Sequence, residues 1–284
     1  MRVPVRMRTP DGDGSMSSSS TARIHRIIRW GSRAWHAVRR RIHRRSHDPA
    51  AGYDLWSATY DRETDNLVVV LDESLFQGLL SRVEVERRRV VDVGCGTGRH
   101  WGRILARGPA DLVGYDVSPG MLEQLRQKYP QATVHLARKY RLWCTPAESC
   151  DLVVSTLALS HFASARAAFD EWARVLRAGG DVLVTDVHPA VAARSRTTFR
   201  YHERILSVRT YVRPLASLRA AIARSGLEPV AFSEVPLNDA LLSRCERAEM
   251  RTVFERMKGL PFLYGMHLRK PLRPRERRSA SDRA

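Results

Sequence analysis

Three glycines spaced two apart, Gly94, Gly96 and Gly98, follow the apolar run Val90-Val91-Asp92-Val93. A glycine turn after a buried strand lets the backbone bend sharply and approach a ligand with no Cβ in the way. Twenty residues beyond Gly96, Asp116 closes the next apolar run, Leu112-Val113-Gly114-Tyr115. A carboxylate accepts hydrogen bonds only, on two oxygens, so it can take both hydroxyls of a ribose. The glycine spacing does not fit a G-x-G-x-x-G dinucleotide fingerprint, because Arg99 stands one residue beyond the last glycine. No Lys follows that would make a P-loop. The pair therefore points to a ribose-bearing ligand held at the strand ends, and away from a pyrophosphate. Two histidines stand where a general base could act. His161 follows the run 151–157, and His188 follows 181–187. An imidazole near pKa ~6.5 suits proton removal at neutral pH.

These residues need a scaffold that brings strand ends together. Apolar strand patterns occur at 89–94, 111–116, 132–136, 151–157, 181–187, 228–235 and 262–268. Helical patterns lie between them at 54–60, 65–82, 99–107, 119–128, 163–177 and 215–225. Alternation of this kind predicts a Rossmann-like, doubly wound α/β fold. It has a seven-stranded sheet, mostly parallel with an antiparallel last strand, and helices on both faces. The domain is expected over 49–268, with Asp48-Pro49-Ala50-Ala51-Gly52 as a linker. Residues 189–214, rich in Arg and aromatics, should form a lid over an acceptor pocket; Arg194, Arg196, Arg200, Arg204, Arg209 and Arg213 there suit an acidic or phosphorylated acceptor, or a solvated basic edge. Helical spacing of Leu241, Leu242, Cys245, Ala248, Met250, Val253, Phe254 and Met257 predicts a helix over the sheet edge or at a dimer contact.

At this point the sequence resembles a known family. Asp92-Val93-Gly94-Cys95-Gly96-Thr97-Gly98 is similar to the first motif of class I S-adenosylmethionine-dependent methyltransferases, in their small-molecule, single-domain branch. Gly114-Tyr115-Asp116-Val117-Ser118-Pro119-Gly120-Met121-Leu122 resembles the ribose-binding segment of that family. The stretches 150–162 and 171–180 resemble its fourth strand with the following loop, and the approach to its fifth strand. Tyr53-Asp54-Leu55-Trp56 and Tyr60-Asp61 resemble its N-terminal cap. The resemblance implies S-adenosyl-L-methionine as cofactor. It implies contacts from Tyr53, Tyr60, Asp92, Gly94, Cys95, Gly96, Thr97, Gly98, Asp116, Val117, Ser118, Met121 and Leu157, with His188 and His161 as candidate bases. One departure stands out. The family's adenine-side acid is missing, and Arg138 or Lys139 stands near its place.

Methyl transfer is an in-line displacement, and alignment alone can supply several kcal/mol, up to about 7–11. No metal is expected, because Asp186 ends one strand but Ser155-Thr156-Leu157-Ala158 offers no partner acid. The motifs of base-modifying enzymes, Asn/Asp-Pro-Pro-aromatic and Pro-Cys, are absent. Their absence speaks against nucleic-acid substrates and for a small-molecule acceptor. The alternatives are an RNA or ribosomal methyltransferase using its basic tails, and a methyltransferase-like binding module with weakened catalysis.

The net charge is +18, from 48 Lys plus Arg against 30 Asp plus Glu. It is concentrated at the ends: residues 1–48 hold 12 Arg against 3 Asp, and 269–284 hold 7 Arg plus Lys against 2 acids. The charge thus belongs mainly to the flanks and not to the folded body. Residues 1–20 and 269–284 read as a disordered leader and a disordered basic tail. In 21–48, a basic amphipathic pattern and linker, Ile24, Ile27, Ile28, Trp35, Val38 and Ile42 share one helical face and arginines the other. That pattern over 21–45 fits peripheral contact with an anionic membrane, an Arg-rich transit peptide, or an extension packing on the domain. Cys95, Cys144, Cys150 and Cys245 read as reduced thiols, as in the cytoplasm. The sequence leaves the oligomeric state open.

Overall fold

The structure is a computed structural model that describes residues 46–62, 66–138, 140–237 and 248–272. The leader, the basic pattern at 21–45, most of the basic tail and residues 241–247 lie outside the described residues, as does Lys139.

Apolar strands alternating with amphipathic helices bury both faces of one sheet. Its strands are β2 (Arg89–Val93), β3 (Asp111–Asp116), β4 (Thr133–Leu136), β5 (Cys150–Thr156), β6 (Leu176–Val187), β9 (Glu228–Pro236) and β10 (Pro261–Arg269). Their order is β4-β3-β2-β5-β6-β10-β9. β2, β3, β4, β5 and β6 pair in parallel, while β10 runs antiparallel to both β6 and β9. This is the expected fold. The chain order reverses between β2 and β5, and such a switch point opens a crevice at the carboxyl ends.

Helices α5 (Ala165–Val175) and α7 (Leu215–Ser225) cover one face through Phe169, Trp172, Leu218 and Ile222. Helices α2 (Leu67–Leu80), α3 (Trp101–Leu105) and α4 (Pro119–Lys128) cover the other through Phe76, Leu79, Trp101 and Leu125. α8 (Ala248–Met257) adds Phe254 and Met257 to a third cluster beside α2. Side-chain caps start these helices where the sequence supplies a short acceptor: Asn66 for α2, Ser118 for α4 and Ser164 for α5.

Two segments differ from expectation. The supposed linker is the first turn of helix α1 (Pro49–Tyr60), capped by Asp48 with Pro49 at its start. Pro is tolerated there because that N–H needs no helical partner. The segment 189–214, expected as a lid and given no form by its sequence, has secondary structure of its own. After the short helix α6 (Pro189–Ala192), strands β7 (Thr198–Tyr201) and β8 (Arg204–Val208) form a hairpin. Strand β1 (Ser46–His47) joins β8 in parallel, so the folded body includes Ser46 and His47. Gly52 of α1 is required by this sheet: a Cβ there would stand 2.9 Å from Val208 Cγ2.

Candidate active site

The glycine loop leaves β2 with Gly94, Gly96 and Gly98 all at positive φ (73°, 52° and 74°). Gly94 packs so closely that a Cβ would lie 2.4 Å from Ala158 Cβ. Gly96 is the opposite case, with no atom within 4 Å of a Cβ position, so its backbone faces open space. The Gly96 N–H donates to Asp116 Oδ2 (2.8 Å), and the Ser118 N–H donates to Oδ1 (2.9 Å). Asp116 is thereby fixed at the end of β3. Each oxygen keeps a further lone pair for a hydroxyl donor. Burial raises its pKa against the pull of those N–H groups.

Asp92 sits beneath the loop. Its Oδ2 accepts from Trp101 Nε1 (3.0 Å), while Oδ1 is buried without a partner. Burial pushes its carboxyl up to about 7, despite the Trp101 bond. An orphaned buried carboxylate oxygen costs free energy until a donor reaches it. A cationic amino group at the glycine loop would supply one. Cys95 is buried, and burial lifts its thiol well above the usual range, so it packs and does not react.

Helix α1 bridges the two cofactor segments. Asp61 Oδ1 accepts from the Thr97 hydroxyl of the glycine loop (2.6 Å), and Asp61 Oδ2 pairs with Lys128 Nζ (2.8 Å). Asp54 Oδ1 accepts from the Gly120 N–H (2.7 Å) and the Ser118 hydroxyl (3.1 Å). Ser118 Oγ in turn accepts from the Met121 N–H (3.1 Å). Tyr53, Trp56 and Tyr60 form one aromatic stripe on α1, and Trp56 stacks on Phe199 of the hairpin (4.9 Å, 10°). Asp54 and Asp61, seven residues apart on one helical face, were readable as a pair; their roles emerge only from the structure.

At the acceptor edge, Tyr53 Oη lies 2.8 Å from His161 Nε2, and His161 Nδ1 lies 2.8 Å from the Arg209 carbonyl. That carbonyl only accepts, so Nδ1 carries the imidazole proton and Nε2 accepts a hydrogen bond from the Tyr53 hydroxyl. Burial lowers the His161 pKa and, together with Tyr60, raises that of Tyr53, so both are neutral. His161 thus joins α1, the loop after β5 and the end of β8. His188 is placed differently. It caps α6 by accepting the Ala190 N–H on Nδ1 (3.1 Å), and its Nε2 stands 3.0 Å from Glu234 Oε1 out of hydrogen-bond alignment. Leu157 follows β5 at φ 53°, a strained conformation for a non-glycine residue, held by its N–H to the Thr185 carbonyl (2.8 Å).

Asp186 closes β6, buried, with Oδ2 accepting the Ser160 N–H (2.5 Å) and Oδ1 the Val187 N–H (2.7 Å). Burial lifts it to about 6. Beside it is a slot of about 20 Å³, with Ser160, Tyr211, Arg213 and Tyr264 in its walls. Arg213 donates to the Tyr211 and Phe162 carbonyls. Burial lowers its pKa, against the raising pull of Tyr264, Tyr140 and Asp186. Sequence reasoning did not separate this arginine from the other lid arginines. On the adenine side, the segment after β4 turns through an Arg138–Arg141 bridge, and Arg138 lies 5.9 Å over the Trp143 ring. The acid reaching this segment comes from α5: Glu171 Oε1 accepts the Leu142 N–H (2.8 Å) and is paired with Arg174. Among the described residues, no three His, Cys, Asp or Glu side chains converge as a metal site.

A glycine turn and a carboxylate at the switch point of an α/β sheet, with a helix beside them, form the arrangement that nucleoside-bearing cofactors occupy in such folds. Residues 91–184 match the family described as "Methyltransferase domain". An uncharacterized methyltransferase of Emericella nidulans is 30% identical over 246 residues, covering 73% of this chain and 82% of that protein. A trans-aconitate 2-methyltransferase of Streptomyces coelicolor is 29% identical over 213 residues, 66% of this chain and 69% of its own. The chain spans only 34% and 53% of the lengths of two other curated relatives. Among solved structures, an S-adenosylmethionine-dependent methyltransferase of Mesorhizobium loti superposes with a TM-score of 0.55 at 24% identity, over 68% of this chain and 96% of that one. The chain belongs to the methyltransferase family, and its fold is that of S-adenosylmethionine-dependent methyltransferases.

Proposed function

We propose that this enzyme methylates a small carboxylic acid on a carboxylate oxygen, without a metal. The observation that carries this reading is Arg213: a half-buried guanidinium in the wall of the acceptor-edge slot, bonded to carbonyls and disfavoured as a cation by its burial. A carboxylate in the slot would compensate that half-buried charge and be oriented by it, in one or two parallel N–H···O bonds. The trans-aconitate 2-methyltransferase relative is named for an acidic acceptor, which supports the same class.

S-adenosylmethionine, when bound, supplies a methyl group on a sulfonium. Asp116 would hold its ribose hydroxyls, the Gly96 backbone would admit its amino-acid part, and Asp92 Oδ1 would receive its ammonium. Tyr53 and Tyr60 on α1 would close over it. A carboxylate acceptor is already ionised near neutrality, because its pKa is about 4. His161 then need not remove a proton; it holds Tyr53 and the lid in register. His188 supports the start of α6. The slot must widen to admit an acceptor, and Tyr211, Val212 and Arg213, in irregular backbone between β8 and α7, form its movable wall.

The test is transfer of labelled methyl to a panel of di- and tricarboxylic acids, amines, phenols and RNA. The expected product is a base-labile methyl ester. Arg213→Met should raise the acceptor KM at least tenfold while leaving cofactor affinity unchanged. Exclusive methylation of an amine or of RNA would overturn the reading.

A further inference from the structure

The β7–β8 hairpin has two faces with different tasks. Phe199 and Leu206, paired across the strands, face the cap, where Phe199 stacks on Trp56. Arg200 and Ile205, the next pair toward the turn, are exposed, as are Tyr201 and Arg204 beyond them. Ile205 is 52% exposed, although strand periodicity could have turned it inward with a one-residue slip. Arg194, Arg196 and Arg209 flank the hairpin, also exposed, and Glu203 is the one acid among residues 193–210. Ile205 and Tyr201 thus lie exposed with Arg200 and Arg204 at the turn end of the hairpin, and Arg194, Arg196 and Arg209 lie at its open end.

We propose that this hairpin is a docking surface for an anionic lipid membrane, with the guanidiniums at the headgroups and Ile205 and Tyr201 seated among the first acyl carbons. Charge complementarity points to an anionic partner, and polybasic segments gain from anionic leaflets. The exposed isoleucine separates a membrane from a nucleic acid. An aliphatic side chain is favoured at the headgroup–acyl boundary and gains nothing against phosphates and sugars. The sequence carries the same chemistry just upstream, in the basic amphipathic pattern at 21–45. Among the described residues, Ser46 and His47 pair with Ser207 and Val208 of the hairpin strand. The inference does not depend on which acceptor is methylated.

The experiment is co-sedimentation of the full chain with vesicles of phosphatidylcholine alone and of phosphatidylcholine with 30% phosphatidylglycerol. The wild type should bind the anionic vesicles and not the neutral ones. The triple variant Arg200→Glu, Arg204→Glu, Ile205→Asp should bind at least tenfold more weakly. Calorimetric titration with S-adenosylhomocysteine should match the wild type, showing that the variant is folded. The single variant Ile205→Asp should lose affinity although it leaves every arginine in place. Three results would overturn the proposal: no binding of the wild type to anionic vesicles, wild-type binding by the folded triple variant, or a single-stranded RNA bound through these residues in place of vesicles.

Discussion

Asp92 shows how one buried carboxyl can couple the cofactor site to pH. Its ordinary value is 3.8, and in the folded protein burial holds it at about 7. Between those values the folded protein keeps a proton that the unfolded chain has lost. This contribution to stability therefore declines as pH rises from about 4 to about 7, and is flat above. Ligation reverses the preference, because an ammonium beside Oδ1 favours the ionised form. Below pH 7, binding must expel the proton; above it, the carboxylate is ready. The cofactor Kd should fall several-fold between pH 6 and pH 8: ionisation of Asp92 alone gives about tenfold, and loss of the ligand's own ammonium proton near pH 8 takes part of that back. Asp92→Asn should bind more weakly at pH 8 and lose the dependence. Calorimetric titration at the two pH values measures both, and an unchanged wild-type Kd would remove Asp92 from the ammonium site. Asp92, the three glycines and Asp116 were legible in the sequence because they lie on adjacent strands with local, regular spacing. The Tyr53–His161 contact was not, because 108 residues separate the partners and only the folded sheet brings them together. The same holds for the buried cluster of Asp72 with Arg99, His100 and Thr185, which ties α2 to the exit of the glycine loop and to β6. Burial works to raise Asp72, but the His100 bond and the Arg99 charge outweigh it and hold the carboxyl below its usual range.

Among the elements, α1 was only half legible. Pro and Gly at 49–52 read as a linker, yet Asp48 followed by Pro49 is also a helix start, and the structure takes that reading. The lid hairpin was obscured because strands of four and five residues rich in Arg give too short an alternation. These two elements meet at Trp56, which is 4% exposed, stacked on Phe199 and edge-on to Tyr60. Truncating a buried Trp to Ala costs about 3–5 kcal/mol in a core. Here the loss falls on the seam between cap and hairpin, while the main sheet has its own separate clusters. Trp56→Ala should weaken cofactor binding at least tenfold and raise amide exchange in 46–60 and 198–208. Exchange in β2, β5 and β6 should stay near wild type. Equal deprotection of the central strands would show that the cap is part of the core and not a separate closure.

On the scale of the whole molecule, charge separates the small-acid reading from the RNA alternative. The formal charge of +18 is that of a nucleic-acid binder, but 1–48 and 269–284 carry most of it. Within the body, several arginines are spent on internal pairs: Arg99 with Asp72, Arg174 with Glu171, Arg177 with Asp151. A protein that recognises RNA through six or more phosphate contacts loses about 10³–10⁵ in affinity between 50 and 200 mM salt, because counterions compete for each phosphate. A small acid held by Arg213 makes one charged contact in a half-buried slot, where salt screens less than at an open surface. The acceptor KM should therefore change less than about threefold over that range. Total RNA added to the assay should leave the rate unchanged, since on this reading the acceptor is a small acid and the nucleic acid takes no part in the reaction. Initial rates of methyl-ester formation at 50 and 200 mM salt, with and without RNA, measure this directly. A collapse of rate with salt, or methyl label recovered in the RNA, would transfer the activity to the basic flanks and make the nucleic acid the substrate.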